Sequence, residues 1–392
     1  MNQPVLPVNR IQSVDLLKGF VMVIMALDHV RDYFHYSTFF FDPSDPIHTT
    51  WTIYLTRLLT HFCAPAFSFL AGLSAFMVGR RKNKRQLSAF LLKRGLWLVF
   101  IEITIVTFGW HFDILFRNIL LQTIWSLGIS MMMLAALVHL PNTIILVFSC
   151  CIIFGHNLLD PLHFGGNLFW SFIHERSRFS YAPGHYIRES YPLFPWVAVM
   201  SLGYCFGPLY NNSFEAYRRK RILNGLGAGA FVLFFILVAI NKYGDPIRWT
   251  KYNDVSTTVM SMFNVTKYPP SLLYLLMTLG AALLFLANTE GLKGKVVNFF
   301  CIFGRVPFFY YIIHIYLIHL IALIAAELTG FGWQNMILLM FVTKVQSLKG
   351  YGFPLWVIYL IWIVITLLLY PLCKKFDRYK QGHKDKWWLS YL

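Results

Sequence analysis

Ten long apolar runs constrain this chain more than any other feature. They fall at about residues 16–34, 58–78, 88–108, 119–140, 143–158, 193–210, 223–240, 272–287, 306–328 and 355–372. Most reach the roughly 17–25 residues an α-helix needs to cross a bilayer, and the fifth and eighth are shorter. With 57% of residues hydrophobic and 13% charged, no single soluble core could hide so much apolar surface, so the bilayer must act as solvent. The expected fold is an all-α, polytopic transmembrane helical bundle of about ten spans, within about nine to eleven. It forms one integral membrane domain over residues 1–392, with no separate soluble domain.

Placing the N-terminus in the cytoplasm puts 22 of the 34 Lys and Arg on that side, in dense clusters at residues 80–85 and 218–221. The rest are spread over longer outer loops, so the excess of basic residues in short inner loops predicts that both termini are cytoplasmic. Short juxtamembrane basic runs are what orientation and anionic lipid require, so the net charge of +17 does not call for nucleic acid. The six cysteines lie in or beside apolar runs without metal-ligand spacing and read as small hydrophobic residues.

Ionisable side chains inside a span are costly, so each is a functional candidate. The first run carries Asp15 and Lys18 near one end. His29, 14 residues after Asp15, lies about 21 Å further along a helix, and Asp32, three residues on, shares its face and could orient the imidazole. The second run holds Arg57 and His61 four apart, and Pro65 removes the helical hydrogen bond to the His61 carbonyl, as expected where backbone lines a cavity. Glu102 sits in the third run and His314 near the middle of the ninth. Nothing resembles a metal-ligand pair, a nucleotide loop or a nucleophile elbow, so no metal is expected and chemistry would rest on imidazole acid–base work.

Four motifs then stand out together: R-I-Q-S-V-D-L-L-K-G at 10–19, T-H-F-C-A-P-A-F-S-F-L-A-G at 60–72, K-Y-P-P-S-L-L-Y-L-L-M-T-L-G at 267–280 and F-G-R-V-P-F-F-Y-Y-I-I-H at 303–314. The set resembles bacterial membrane proteins grouped with heparan-alpha-glucosaminide N-acetyltransferase, similar in turn to the acyltransferase 3 membrane enzymes. Asp15 and His29 match the latter's first-span spacing, with Lys18 where those enzymes carry Arg. In the lysosomal enzyme of the first group the proposed catalytic His stands in an H-x-x-W segment, which His48 to Trp51 resembles, so His29 and His48 compete for one role.

The resemblance implies transfer of an acetyl or acyl group from cytoplasmic acetyl-CoA, as co-substrate, to an extracytoplasmic sugar amine or hydroxyl. Under that reading His29, Asp32, His61 and His48 are the catalytic candidates. Lys18, Arg94 and Arg305 would meet the donor's phosphates, while Arg57, His314 and Lys267 would meet the acceptor. Expected partners are the acyl donor, a glycan acceptor, the lipid bilayer and a second copy of the chain in a homodimer, with no nucleic acid. The expected location is the bacterial plasma membrane. The alternative is a transporter of a glycan, lipid or proton-coupled solute, since intramembrane Asp, Glu and His also build proton relays.

Overall fold

The computed structural model describes residues 11–383 and 385–390, so the outermost chain ends, expected in the cytoplasm, and Arg10 of the opening motif lie outside the described residues. The helices run in order α1 (Gln12–Phe34), α2 (Trp51–Thr60), α3 (Cys63–Gly79), α4 (Lys84–Ile101) and α5 (Thr107–His111), with a π-helical turn at Glu102–Val106 between the last two. There follow α6 (Thr123–Leu137), α7 (Asn142–Gly155), α8 (Leu168–Ile173), α9 (Leu193–Cys205) and α10 (Ala216–Ile240). The chain ends with α11 (Val255–Phe263), α12 (Leu272–Thr289), α13 (Lys295–Arg305), α14 (Pro307–Leu328) and α15 (Leu355–Gly382).

Among the described residues, seven helical stretches are long and apolar enough to cross a membrane: Trp51–Gly79, Asn142–Leu159, Leu193–Tyr210, Ala216–Ile240, Leu272–Thr289, Pro307–Leu328 and Leu355–Gly382. That is fewer than the ten expected. The other three runs are helical too, but α1 carries Asp15, Lys18, Asp28, Arg31 and Asp32, α4 carries four basic residues, and α6 has 15 residues. The fold also departs from all-α. Within the long loops, β1 (Asn118–Leu121) pairs in parallel with β3 (His185–Glu189), which pairs antiparallel with β2 (Ser177–Ala182).

α1 is the axis of the molecule, packed against α2, α3, α12, α13, α14 and α15. Between apolar helices in a bilayer there is little hydrophobic drive to associate, so close backbone contact at small residues does the work. Gly19 lies against the Phe300 carbonyl of α13 and Gly304 against the Asp15 carbonyl of α1, and a Cβ at either would collide with backbone. Gly72 and Gly203 join α3 to α9 in the same reciprocal way. The segment after α14 folds into three short 3₁₀ turns, Trp333–Met336, Val342–Lys344 and Gln346–Leu348, capped onto the end of the bundle that also carries the sheet. There Leu338 N–H donates to the His111 carbonyl at 2.8 Å.

Candidate functional site

The sheet, the post-α14 segment and the ends of α1, α2 and α14 enclose a chamber of about 940 Å³. His29 lines it, one turn beyond Met25 on α1. Its Nδ1 lies 3.0 Å from Nε2 of His314 on α14, the rings stacked 11° from parallel. The protons on this pair follow from its surroundings. His314 Nδ1 is 2.9 Å from the Tyr310 carbonyl, one helical turn back, and a carbonyl only accepts. A neutral His314 therefore carries its proton on Nδ1 and accepts at Nε2, so His29 donates from Nδ1. His29 is left with Nε2 as its unprotonated nitrogen. Trp110 packs edge-on to the His29 ring at 4.7 Å, held by a 2.7 Å bond from the Tyr33 hydroxyl to the Trp110 carbonyl.

Next to His29, Asp28 accepts from Arg31 at 2.5 Å, from Arg57 at 3.0 and 3.1 Å and from Thr60 at 2.9 Å. Asp32 also accepts from Arg31, at 2.9 Å. Two carboxylates and two guanidiniums thus form a self-neutralising cluster that ties α1 to α2. Asp32 was expected to orient His29, but the adjacent guanidinium takes its carboxylate and His314 takes the ring. Arg57 lines the chamber while committed to Asp28.

The break at Pro65 occurs as the sequence suggests, with α2 ending at Thr60 and α3 starting at Cys63. The freed His61 carbonyl accepts from the Tyr274 hydroxyl of α12 at 2.7 Å, so the backbone group lost to the helix is satisfied within the bundle. His61 lines the chamber, as does Lys267, whose ammonium lies 5.2 Å from the centre of the Tyr268 ring. His48 does not. Its ring is 61% exposed and bonded to Asp45 at 2.7 Å on the loop after α1.

A second cavity, of about 190 Å³ and mostly apolar, runs from Lys18, Ser74 and Arg94 to Met25, Phe67, Thr123 and Tyr311. Lys18 Nζ donates to Ser74 Oγ at 2.7 Å. Those last four residues also line the chamber, so the two spaces meet across one ring of side chains. Arg305, grouped in the sequence with Lys18 and Arg94, lines neither cavity and bonds Asp377 of α15 at 2.7 Å. The π-helical turn buries Glu102 behind this region, its carboxylate accepting from the Gln122 N–H at 2.7 Å.

No role was expected from the sequence for Asp28, Arg31, Trp110 or Tyr311. Tyr311 had a readable signal, since it lies three residues before His314 and so on the same helical face. Of the chamber rim, only Lys267 was singled out. Arg176, Arg188, Lys267, Lys344 and Lys349 line it, and none forms a salt bridge with a described residue. Burial first, and then the nearby Arg176 and Arg178, push the Arg188 guanidinium below its ordinary value. Among the described residues, no three His, Cys, Asp or Glu side chains are grouped to hold a metal ion.

Residues 10–239 match the family model for heparan-alpha-glucosaminide N-acetyltransferase, catalytic. No curated protein matches the chain. The match covers more than half of the 392 residues, so the chain belongs to this family. With seven long apolar helical stretches among the described residues, it is a multi-pass membrane protein of an acetyltransferase family.

Proposed function

We propose that this member of the heparan-alpha-glucosaminide N-acetyltransferase family moves an acetyl group from acetyl-CoA, entering at the Lys18 and Arg94 end, to an amine or hydroxyl of a glycan held in the chamber. The observation that carries the reading is the pair of cavities meeting between Lys18 and His29. Lys18 and His29 are eleven residues apart on α1, about 16 Å along its axis, a span suited to an extended pantetheine arm. The narrow cavity is lined by apolar side chains such as Met22, Leu98 and Leu127, which suit that arm, while Lys18 and Arg94 suit its phosphates. The large polar chamber suits a hydrophilic acceptor, and its five unbridged cations favour one bearing anionic groups.

In this mechanism His29 Nε2 takes the proton from the acceptor as it attacks the thioester carbon, and later returns it to the leaving thiolate. His314 is a positioning residue, holding the tautomer that makes Nε2 basic. Arg57, His61 and Lys267 lie along the acceptor's side of the chamber. We place the protein in a bacterial plasma membrane with the Lys18 end facing the cytoplasm.

The test uses full-length protein in nanodiscs with radiolabelled acetyl-CoA and a glucosaminide acceptor. Saturable donor binding and label transfer, abolished in His29→Ala, are expected. No donor binding at millimolar concentration would refute the reading, and acceptor flux without any donor in proteoliposomes would replace it with transport.

A further inference from the structure

The ring of residues shared by the two cavities has a chemical consequence. If the donor's arm occupies the narrow cavity and the acceptor is activated at His29, the thioester carbonyl must lie where the two spaces meet. That junction is formed by Met25, Phe67, Thr123 and Tyr311, from four different helices. Two of the four are apolar. Thr123, at the first turn of α6, lies beside the Tyr191 phenol. Tyr311 has no hydrogen-bond acceptor for its hydroxyl among the described residues, although the residue is only 5% exposed. The Trp110 indole, whose N–H has no hydrogen-bond acceptor among the described residues, lies beside the Tyr311 phenol, whose own proton is available to donate. The Tyr311 ring is edge-on to His314 at 5.7 Å, and His314 is the ring bonded to His29.

We propose that Tyr311 is a catalytic residue, its hydroxyl donating a hydrogen bond to the thioester oxygen as that oxygen becomes an oxyanion. The assignment rests on the acyl-transfer reading above and goes beyond it. The acceptor's lone pair forms the new bond to the carbonyl carbon, the carbonyl π pair moves onto oxygen, and the acceptor's proton passes to His29 Nε2. Collapse of the intermediate re-forms the carbonyl and breaks the C–S bond. The thiolate leaves with the proton from His29, so no oxidant or further reactant is required. A buried donor acts where charge develops, and loss of one such donor elsewhere costs about 10²–10³ in kcat.

Tyr311→Phe removes the hydroxyl and keeps the ring that fills the junction. It should lower kcat by about 100- to 1,000-fold and leave the affinity for a non-transferable dethia analogue of acetyl-CoA within about twofold, since that analogue develops no oxyanion. Incorporation of 3-fluorotyrosine at position 311 acidifies the phenol with little change of shape and should raise kcat, which keeps the test alive if Tyr311→Phe folds poorly. A kcat insensitive to both changes, in protein whose His29→Ala variant is dead, overturns the assignment alone. Failure of the unmodified protein to transfer any acetyl overturns the acyl-transfer reading, and this assignment with it.

Discussion

Removing the imidazole of His314 tests the tautomer argument directly. In His314→Ala the His29 Nδ1–H loses the acceptor it has at 3.0 Å, in a pair where His314 is fully buried. A buried donor without an acceptor costs about 1–3 kcal/mol. His29 can escape the cost by moving its proton to Nε2, and Nε2 is then no longer a base. The two outcomes share one magnitude, because the active tautomer is disfavoured by the same 1–3 kcal/mol, or about 5- to 150-fold in kcat/KM. His314→Gln supplies an amide oxygen that accepts from Nδ1 and should recover most of the loss. It gives up the bond to the Tyr310 carbonyl, but that carbonyl remains an acceptor in the α14 ladder. The assay is label transfer from acetyl-CoA by each variant in nanodiscs, with thermal unfolding as the folding control. A His314→Ala rate within twofold of the unmodified protein, or a Gln variant no better than Ala, would refute the reasoning.

Three further outcomes follow from the geometry. His48→Ala should change transfer by less than about twofold, because its ring is exposed and outside the chamber wall. A loss comparable to His29→Ala would move the base to His48. Gly304→Leu should lower the detergent unfolding midpoint by the equivalent of about 1–3 kcal/mol or more, since its Cβ would meet the Asp15 carbonyl, which is backbone and cannot yield. An unchanged midpoint would count against so close a crossing of α1 and α13. Glu189, on the sheet, is held up at about 9 by burial, against 4.5 for an ordinary glutamate. Its folded value lies above its unfolded one, so its stabilising effect is complete below pH 4.5 and is lost as pH rises toward about 9, by up to about 1.4 kcal/mol per unit. Glu189→Gln should flatten that slope between pH 5 and 8, and parallel stability profiles would disprove it.

The legible parts of the site were those set by local geometry. Pro65 exposed the His61 carbonyl to the eye because a proline's effect on its own helix is fixed by covalent structure. The phenol that satisfies that carbonyl, Tyr274, lies 213 residues away and carries no local mark. His29 and His314 were each visible as costly residues in apolar runs, yet their bond spans 285 residues and only packing makes it. Helical spacing put Asp32 beside His29, but spacing cannot rank competitors, and the Arg31 guanidinium one residue away won. Arg305 appeared to open a span. Instead α13 is a separate helix that ends at Arg305, so this arginine stands at a corner facing Asp377 rather than at a cavity mouth. β2 and β3 had no signal in hydropathy, since β2 alternates between partly buried and exposed positions and β3 is mostly half-buried, while β1 lies at the start of the fourth apolar run and so read as part of a span.

The charges that keep α1 from qualifying as an apolar span also explain its position. Ionised groups facing hydrocarbon would be prohibitive, and 19 of the 23 residues of α1 are buried by protein. Asp28, Asp32, Arg31 and Arg57 cancel in sum, so the site end of α1 adds no net charge to the bundle interior. Such a cluster is stable only while complete, because removing one partner strands an opposite charge at a cost of about 3–5 kcal/mol. The cost constrains the chemistry as well. A base that must cycle between neutral and cationic forms beside a fixed, neutral cluster exchanges its proton with the reactants in the chamber, because the adjacent carboxylates are already committed to arginines. In the proposed mechanism, the proton His29 takes from an acceptor therefore has one productive exit, the thiolate at the junction.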